Sequence, residues 1–200
     1  MVSASFCREG VFMGPIGTNW YVLFVLAGKE NSVVRDIKAY NAEKGINEVS
    51  PFVPMKERFF KTAKNKNDPK VELYTLFPGY AFAETPMGDS DFLQYMKGVH
   101  GRYGYLMKPV QYGDSYDFAM RMEERLPLMQ LMNHEWCVKV SSGFMENGRV
   151  KIISGALKGF DGEIKKLDRY KMRAWVELDM KMFKNKQLIE VGLEVLERAD

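Results

Sequence analysis

Cysteine and histidine are scarce in this chain of 200 residues, with two of each: Cys7, Cys137, His100 and His134. Such a set assembles neither a repeated CxxC zinc site nor a disulfide framework, and a reducing cytoplasm is the simplest home for it. Long apolar runs are missing too. The longest, residues 20–27, has 8 residues, against the ~20 that a bilayer span requires. Residues 1–18 carry one basic residue, Arg8, and are broken by Gly10, Gly14, Pro15 and Gly17 where a secretory leader has an apolar stretch. They are expected to be a flexible extension. Charge of one sign is also in short supply, because 29 Lys and Arg face 26 Asp and Glu, leaving a net charge of +3. A balance that small does not by itself announce a nucleic-acid partner.

The chemistry of catalysis has few candidates. A phosphate-cradling GxxxxGK[ST] loop is absent, since the nearest spacing, Gly143 to Gly148, runs on into Arg149 and Val150. Gly98, Gly101 and Gly104 stand between a helix and a strand, the reverse of a dinucleotide fingerprint, and are expected to provide turns. Asp89, Ser90 and Asp91 read as helix caps rather than metal ligands. His134 and Glu135 lie near Cys137, but neighbours on a strand point to opposite faces and make no working dyad. No catalytic set, cofactor site or metal site follows, and an enzyme is the least supported class.

What the chain does contain is 46% hydrophobic and 28% charged residues, enough for a sizeable buried core. Its charge is unevenly spread. Residues 148–186 hold 11 Lys and Arg against 5 Asp and Glu, whereas residues 187–200 hold 1 against 4. A second basic cluster, Lys56, Arg58, Lys61, Lys64, Lys66 and Lys70, faces only Glu57 and Asp68. Either cluster can be a solvated surface or a phosphate-binding one.

Hydrophobic patterning divides the chain. Residues 20–26 read as a strand buried on both faces, and Val33, Val34, Ile37 and Tyr40 have the spacing of a helix that Gly45 ends. Pro51 and Pro54 restrict residues 48–55 to an edge or interrupted strand. Residues 58–61 and 71–76 are expected to form a hairpin arm with lysines at its tip, and residues 80–83 another strand. Helices are predicted over 91–97 and 116–126, with a short strand at 103–107 and Pro127 as the stop. This order implies an α+β sandwich, helices on a mostly antiparallel sheet, closing near residue 126. Residues 127–147 are expected to be a linker, with 136–140 a lone strand. From residue 148 onward, short β runs at 150–153, 162–167, 174–178 and 187–191 suggest a small β barrel.

The segment Gly148, Val150, Ile152, Ile153, Gly155, Lys158, Gly159, Phe160, Gly162 and Ile164 resembles the KOW motif. It follows a domain with Asn19-Trp20-Tyr21-Val22 and Leu76-Phe77-Pro78-Gly79-Tyr80-Ala81-Phe82, and the combination resembles the NusG family of transcription elongation factors. Gly155-Ala156-Leu157-Lys158-Gly159 and the closing Val191-Gly192-Leu193-Glu194-Val195 are most like the LoaP-type antiterminators of that family.

The resemblance implies residues 19–126 as a NusG-type polymerase-binding domain, 127–147 as a linker and 148–200 as an SH3-like KOW barrel. It implies docking on the clamp helices of RNA polymerase through Trp20, Tyr21, Phe77, Pro78, Tyr80 and Phe82, although most of these also suit a core. Alternation puts Tyr21 on one face with Leu23 and Val25, and Trp20 on the other with Phe24. Lys56, Arg58, Lys61, Lys64 and Lys66 would form an arm near the nucleic-acid scaffold, with upstream DNA as a further partner. Lys151, Lys158, Lys165, Lys166, Arg169, Lys171 and Arg173 would bind a hairpin in nascent RNA. Within the family the alternative is a housekeeping factor whose barrel takes a termination factor or a ribosomal protein through Phe160. From another class, the alternative is a ribosomal KOW protein bound to rRNA. The implied factor is a cytoplasmic monomer, not membrane-bound.

Overall fold

A computed structural model of the chain describes residues 17–60, 69–103, 107–112, 116–183 and 187–196. The elements run β1 (Asn19–Phe24), α1 (Glu30–Lys44), β2 (Ser50–Phe52), β3 (Met55–Phe60), β4 (Lys70–Thr75), β5 (Tyr80–Thr85), α2 (Asp89–Tyr103) and β6 (Lys108–Pro109). They continue with α3 (Met122–Leu131), β7 (Cys137–Val138), β8 (Ser141–Glu146), β9 (Arg149–Ser154), β10 (Ile164–Asp168), β11 (Arg173–Leu178) and β12 (Gln187–Leu196). The architecture is α+β, as the hydrophobic patterning implies: helices and a mostly antiparallel sheet in the first half, strands in the second.

Three sheets carry the strands, in the orders β2-β5-β1-β6, β4-β3-β7 and β10-β11-β12-β8-β9. Pro51 sits in β2, at the edge of its sheet, where a missing N–H costs no ladder bond on the open side. Alternation along β1 serves two cores. Tyr21, Leu23 and Val25 face Val33 and Ile37 of α1 and Phe92 and Val99 of α2, while Trp20 and Val22 face the other way. Each fully buried side chain of this size contributes roughly 1.5–3 kcal/mol. The second core does not stop where the helical half ends. It runs from Trp20, Phe82 and Leu128 into Val150, Leu157, Val176, Met180 and Leu193, so one apolar interior joins the two halves.

Four local expectations are corrected. Tyr103 ends α2 instead of opening a strand, and Gly98 and Gly101 lie inside that helix rather than in turns. Gly98 leaves room for the Tyr40 hydroxyl, which a Cβ there would push aside. The helix placed at residues 116–126 is α3, with Pro127 inside it. An interior proline costs about 3 kcal/mol. Burial of Leu128, Leu131 and Met132, at 2% exposure or less, offsets it. Finally, residues 127–147 carry the end of α3, β7 and β8, and β8 is built into the C-terminal sheet between β12 and β9.

Candidate interaction surfaces

The residue pattern around Phe77 makes a tight corner. Gly79 adopts a left-handed φ of 87°, and its N–H donates to the buried Glu30 carboxylate at the start of α1 over 2.7 Å. Burial pushes the Glu30 carboxyl up, but backbone N–H donors led by Gly79 win and hold it below the ordinary carboxylate range. The corner thus presents Phe77, Pro78 and Tyr80 from a fixed scaffold.

The six aromatic-face candidates separate sharply. Trp20, Tyr21 and Phe82 are fully buried, and Phe77 is buried as well. Trp20 is held by its indole N–H, which donates to Glu84 at 3.2 Å, and by the guanidinium of Arg125, 4.8 Å from its ring centroid. Arg125 and Glu84 form a buried ion pair of 2.9 Å. Phe52 and Trp136 close on Trp20 edge-on at 5.3 and 5.4 Å. Tyr21 stacks on Phe92 at 3.8 Å and donates its hydroxyl to Asp89 at 2.9 Å; burial, then Asp89, raises its phenol above the ordinary range. The other carboxylate oxygen of Asp89 accepts the Phe118 N–H, so this helix-start acid is engaged by the fold. Pro78 is exposed and Tyr80 half-buried, and Phe24, 53% exposed, meets Tyr80 at 5.7 Å.

Phe183, between β11 and β12, covers Phe77 and part of Tyr80. Its ring stacks on Phe77 at 5.3 Å and meets Tyr80 edge-on at 4.7 Å. Beside it, the Met182 N–H donates to Glu124 of α3 at 2.8 Å, while the Tyr112 hydroxyl donates to the other oxygen of that carboxylate. Across the same seam Glu190 of β12 lies 2.9 Å from Arg58 of β3 and 3.3 Å from Arg173 of β11. Gly192 lets β12 pass: a Cβ there would fall 2.7 Å from Val140 Cγ1 and 3.1 Å from the Glu57 carbonyl oxygen. A cleft of about 410 Å³ remains along the seam, lined by Lys56, Pro78, Tyr80, Trp175, Phe183 and Leu188 among others.

The basic candidates divide by the same geometry. Lys56 and Arg58 are half-buried at the seam, Arg58 also lying over the Tyr74 ring at 4.7 Å. Burial lowers the Lys56 amine below its ordinary range, against the pull of Glu190. Lys61, Lys64 and Lys66 fall outside the described residues. In the C-terminal half, Lys151, Lys158, Lys165, Lys166, Arg169 and Lys171 are exposed, whereas Arg173 is held by Glu190. Lys151 approaches Glu146 at 3.5 Å, Lys165 approaches Glu177 at 4.0 Å, and Lys166 lies over Trp175 at 4.7 Å. Phe160 is buried in the core and offers no exposed ring. The patterning missed Phe183, which breaks the alternation of Leu178, Met180 and Met182 and is followed by Lys184 and Lys186, and Tyr170, whose flanking Arg169 and Lys171 were the available signal.

Among the described residues no helix is long and apolar enough to cross a membrane. Residues 18–115 match the family model described as Transcription termination factor nusG. The chain is 24% identical over 172 residues to the transcription termination/antitermination protein NusG of Thermus thermophilus, covering 80% of this chain and 89% of that one. A solved structure described as "Domain interaction in Thermotoga maritima NusG" is 22% identical, covers 88% of this chain and 93% of that chain, and has a TM-score of 0.47. Residues 18–115, just under half of the chain, thus match the NusG family of transcription factors, and the similarity to a NusG protein extends over 172 residues.

Proposed function

We propose that the chain is a noncatalytic elongation and antitermination factor of the LoaP type. Residues 19–126 bind RNA polymerase at the clamp helices, and residues 148–200, a KOW unit that takes in β8 from the preceding connection, bind a hairpin in nascent RNA. The observation that supports the RNA reading is that Lys158, Lys165, Lys166, Arg169 and Lys171 are all exposed in the β-rich half, on β10 and in the turns around it. Arg and Lys so placed neutralise phosphates, and release of the displaced counterions supplies affinity. Holding polymerase through one half raises the local concentration of RNA at the other.

Polymerase docking through Phe77 and Tyr80 requires Phe183 to leave them, so the reading includes an opened arrangement of the two halves. The housekeeping alternative, protein recruitment by Phe160, is weakened by the burial of that ring. The test uses the intact chain with bacterial RNA polymerase on a template whose leader encodes an RNA hairpin upstream of a terminator. Read-through should rise with the factor and fall when the hairpin is deleted. Replacing Lys165, Lys166, Arg169 and Lys171 together by Gln should flatten the slope of log affinity for hairpin RNA against log salt by about 3 units. Hairpin-independent read-through with an unchanged slope would return the chain to a general factor whose C-terminal half recruits protein.

A further inference from the structure

The β10–β11 turn is fixed at both ends. Asp168 and Arg173 pair across it, the Asp168 carboxylate accepts the Lys171 N–H at 2.9 Å, and the Met172 N–H donates to the Arg169 carbonyl at 3.3 Å. Met172, in the left-handed region at φ 51° and 5% exposed, is plugged into the core, and its carbonyl accepts the Leu193 N–H at 3.0 Å. What this leaves on the solvent side is Arg169, Tyr170 and Lys171, with the Tyr170 ring 74% exposed.

A single exposed aromatic is ordinary. Tyr116, 88% exposed, is one such case, followed directly by Asp117 and with no cation beside it on that side. Tyr170 differs in having an exposed cation on each side and a turn that spends a buried methionine and three hydrogen bonds to hold its shape. A planar ring 74% exposed between two cationic side chains matches one chemistry well, a nucleobase with an open π-face and its two flanking phosphates. Paired bases keep their faces inside the duplex, so the base must be unpaired, as in a hairpin loop.

We propose that Tyr170 is a stacking residue for an unpaired nucleobase of RNA, with Arg169 and Lys171 on the phosphates either side of it. This rests on the RNA-binding reading above and adds to it the part of the RNA that is read: the loop rather than the stem. The site takes any base, because every base has a π-face, and so contributes affinity for loops without fixing their sequence.

The experiment compares the intact chain with Tyr170→Ala and Tyr170→Phe. Two RNA probes are used, a pool of hairpins with randomised loops and a fully paired duplex of the same phosphate number. A fluorescent adenine analogue, quenched by stacking, is placed in the hairpin loop for a second readout. Tyr170→Ala should weaken hairpin binding between about 5-fold and about 100-fold and abolish the added quenching, as loss of one base stack does. It should leave duplex affinity, the salt slope and thermal stability unchanged, and Tyr170→Phe should restore both hairpin readouts. Wild-type hairpin binding that Tyr170→Ala leaves intact would overturn the stacking role while sparing the RNA-binding reading. Absence of wild-type binding to either probe would remove the RNA reading itself, and the stacking role with it.

Discussion

Phe183 lies against Phe77 with ring centroids 5.3 Å apart and closes the aromatic corner of the N-terminal half from above. This one contact sets how much of the Phe77–Tyr80 corner a partner meets. Replacing Phe183 by Ala removes two ring contacts and should cost about 1–3 kcal/mol of stability, measured by urea unfolding. The same variant should bind RNA polymerase more tightly than the wild type, because the cover is gone. Weaker binding would instead make Phe183 part of the docking surface.

Glu124 predicts a pH dependence opposite to that of most carboxylates. Burial raises its carboxyl above the ordinary range, against the Met182 N–H and Lys181, which pull it down. Since the folded value lies above the unfolded one, the stabilising contribution is complete below the ordinary carboxylate value and is lost as pH rises through the folded value. Glu124→Gln keeps an acceptor for Met182 and cannot titrate. Thermal midpoints of the two proteins should therefore diverge in favour of the Gln variant as pH climbs from about 4 to about 8. A constant gap would show that Glu124 ionises equally well folded and unfolded.

Gly155 combines a left-handed φ of 90° with a backbone pressed against the Val140 carbonyl and Ser141. Gly155→Ala adds both conformational strain and a collision with main chain that has no side-chain freedom to yield. The expected loss is at least 2 kcal/mol, summed from about 1–3 kcal/mol of strain and the displaced β8 start. Gly159→Ala, left-handed but with nothing near its absent Cβ, should cost only the strain part. Denaturant midpoints for the pair separate the two terms, and equal losses would mean that the approach of residues 140 and 141 is not constraining.

Legibility in the sequence followed the source of each element's stability. β1 was readable to the level of which side chains face which core, since period-two alternation is a local signal; Gly45, at φ 68°, ended α1 where its spacing indicated. Pro127 was misread because the apolar contacts that hold α3 together lie far away in sequence. Half of β8 was within reach, since Asn147-Gly148, at φ 50° and 76°, is a hairpin turn joining it to β9. Its start was not: Ser141, Ser142 and Gly143 carry no strand propensity, and they are also held by a parallel pairing with β12 some fifty residues away, Leu193 opposite Ser141. Of the site residues, charge runs located the cations but not their partners: Glu190 takes Arg58 and Arg173 out of the free set, and only coordinates reveal that.

The β8–β12 pairing also governs when the basic surface comes into existence. β8 can zip onto β9 as a local hairpin, and β10 onto β11, but the two hairpins are joined solely through β12. Each hairpin alone exposes the apolar side that the other should cover, a marginal state for two-stranded ribbons. The sheet therefore stays in two unclosed pieces until β12 is available, and the closing step carries the high contact order that slows folding. An emerging chain thus holds every strand of its first two sheets before this third sheet can close.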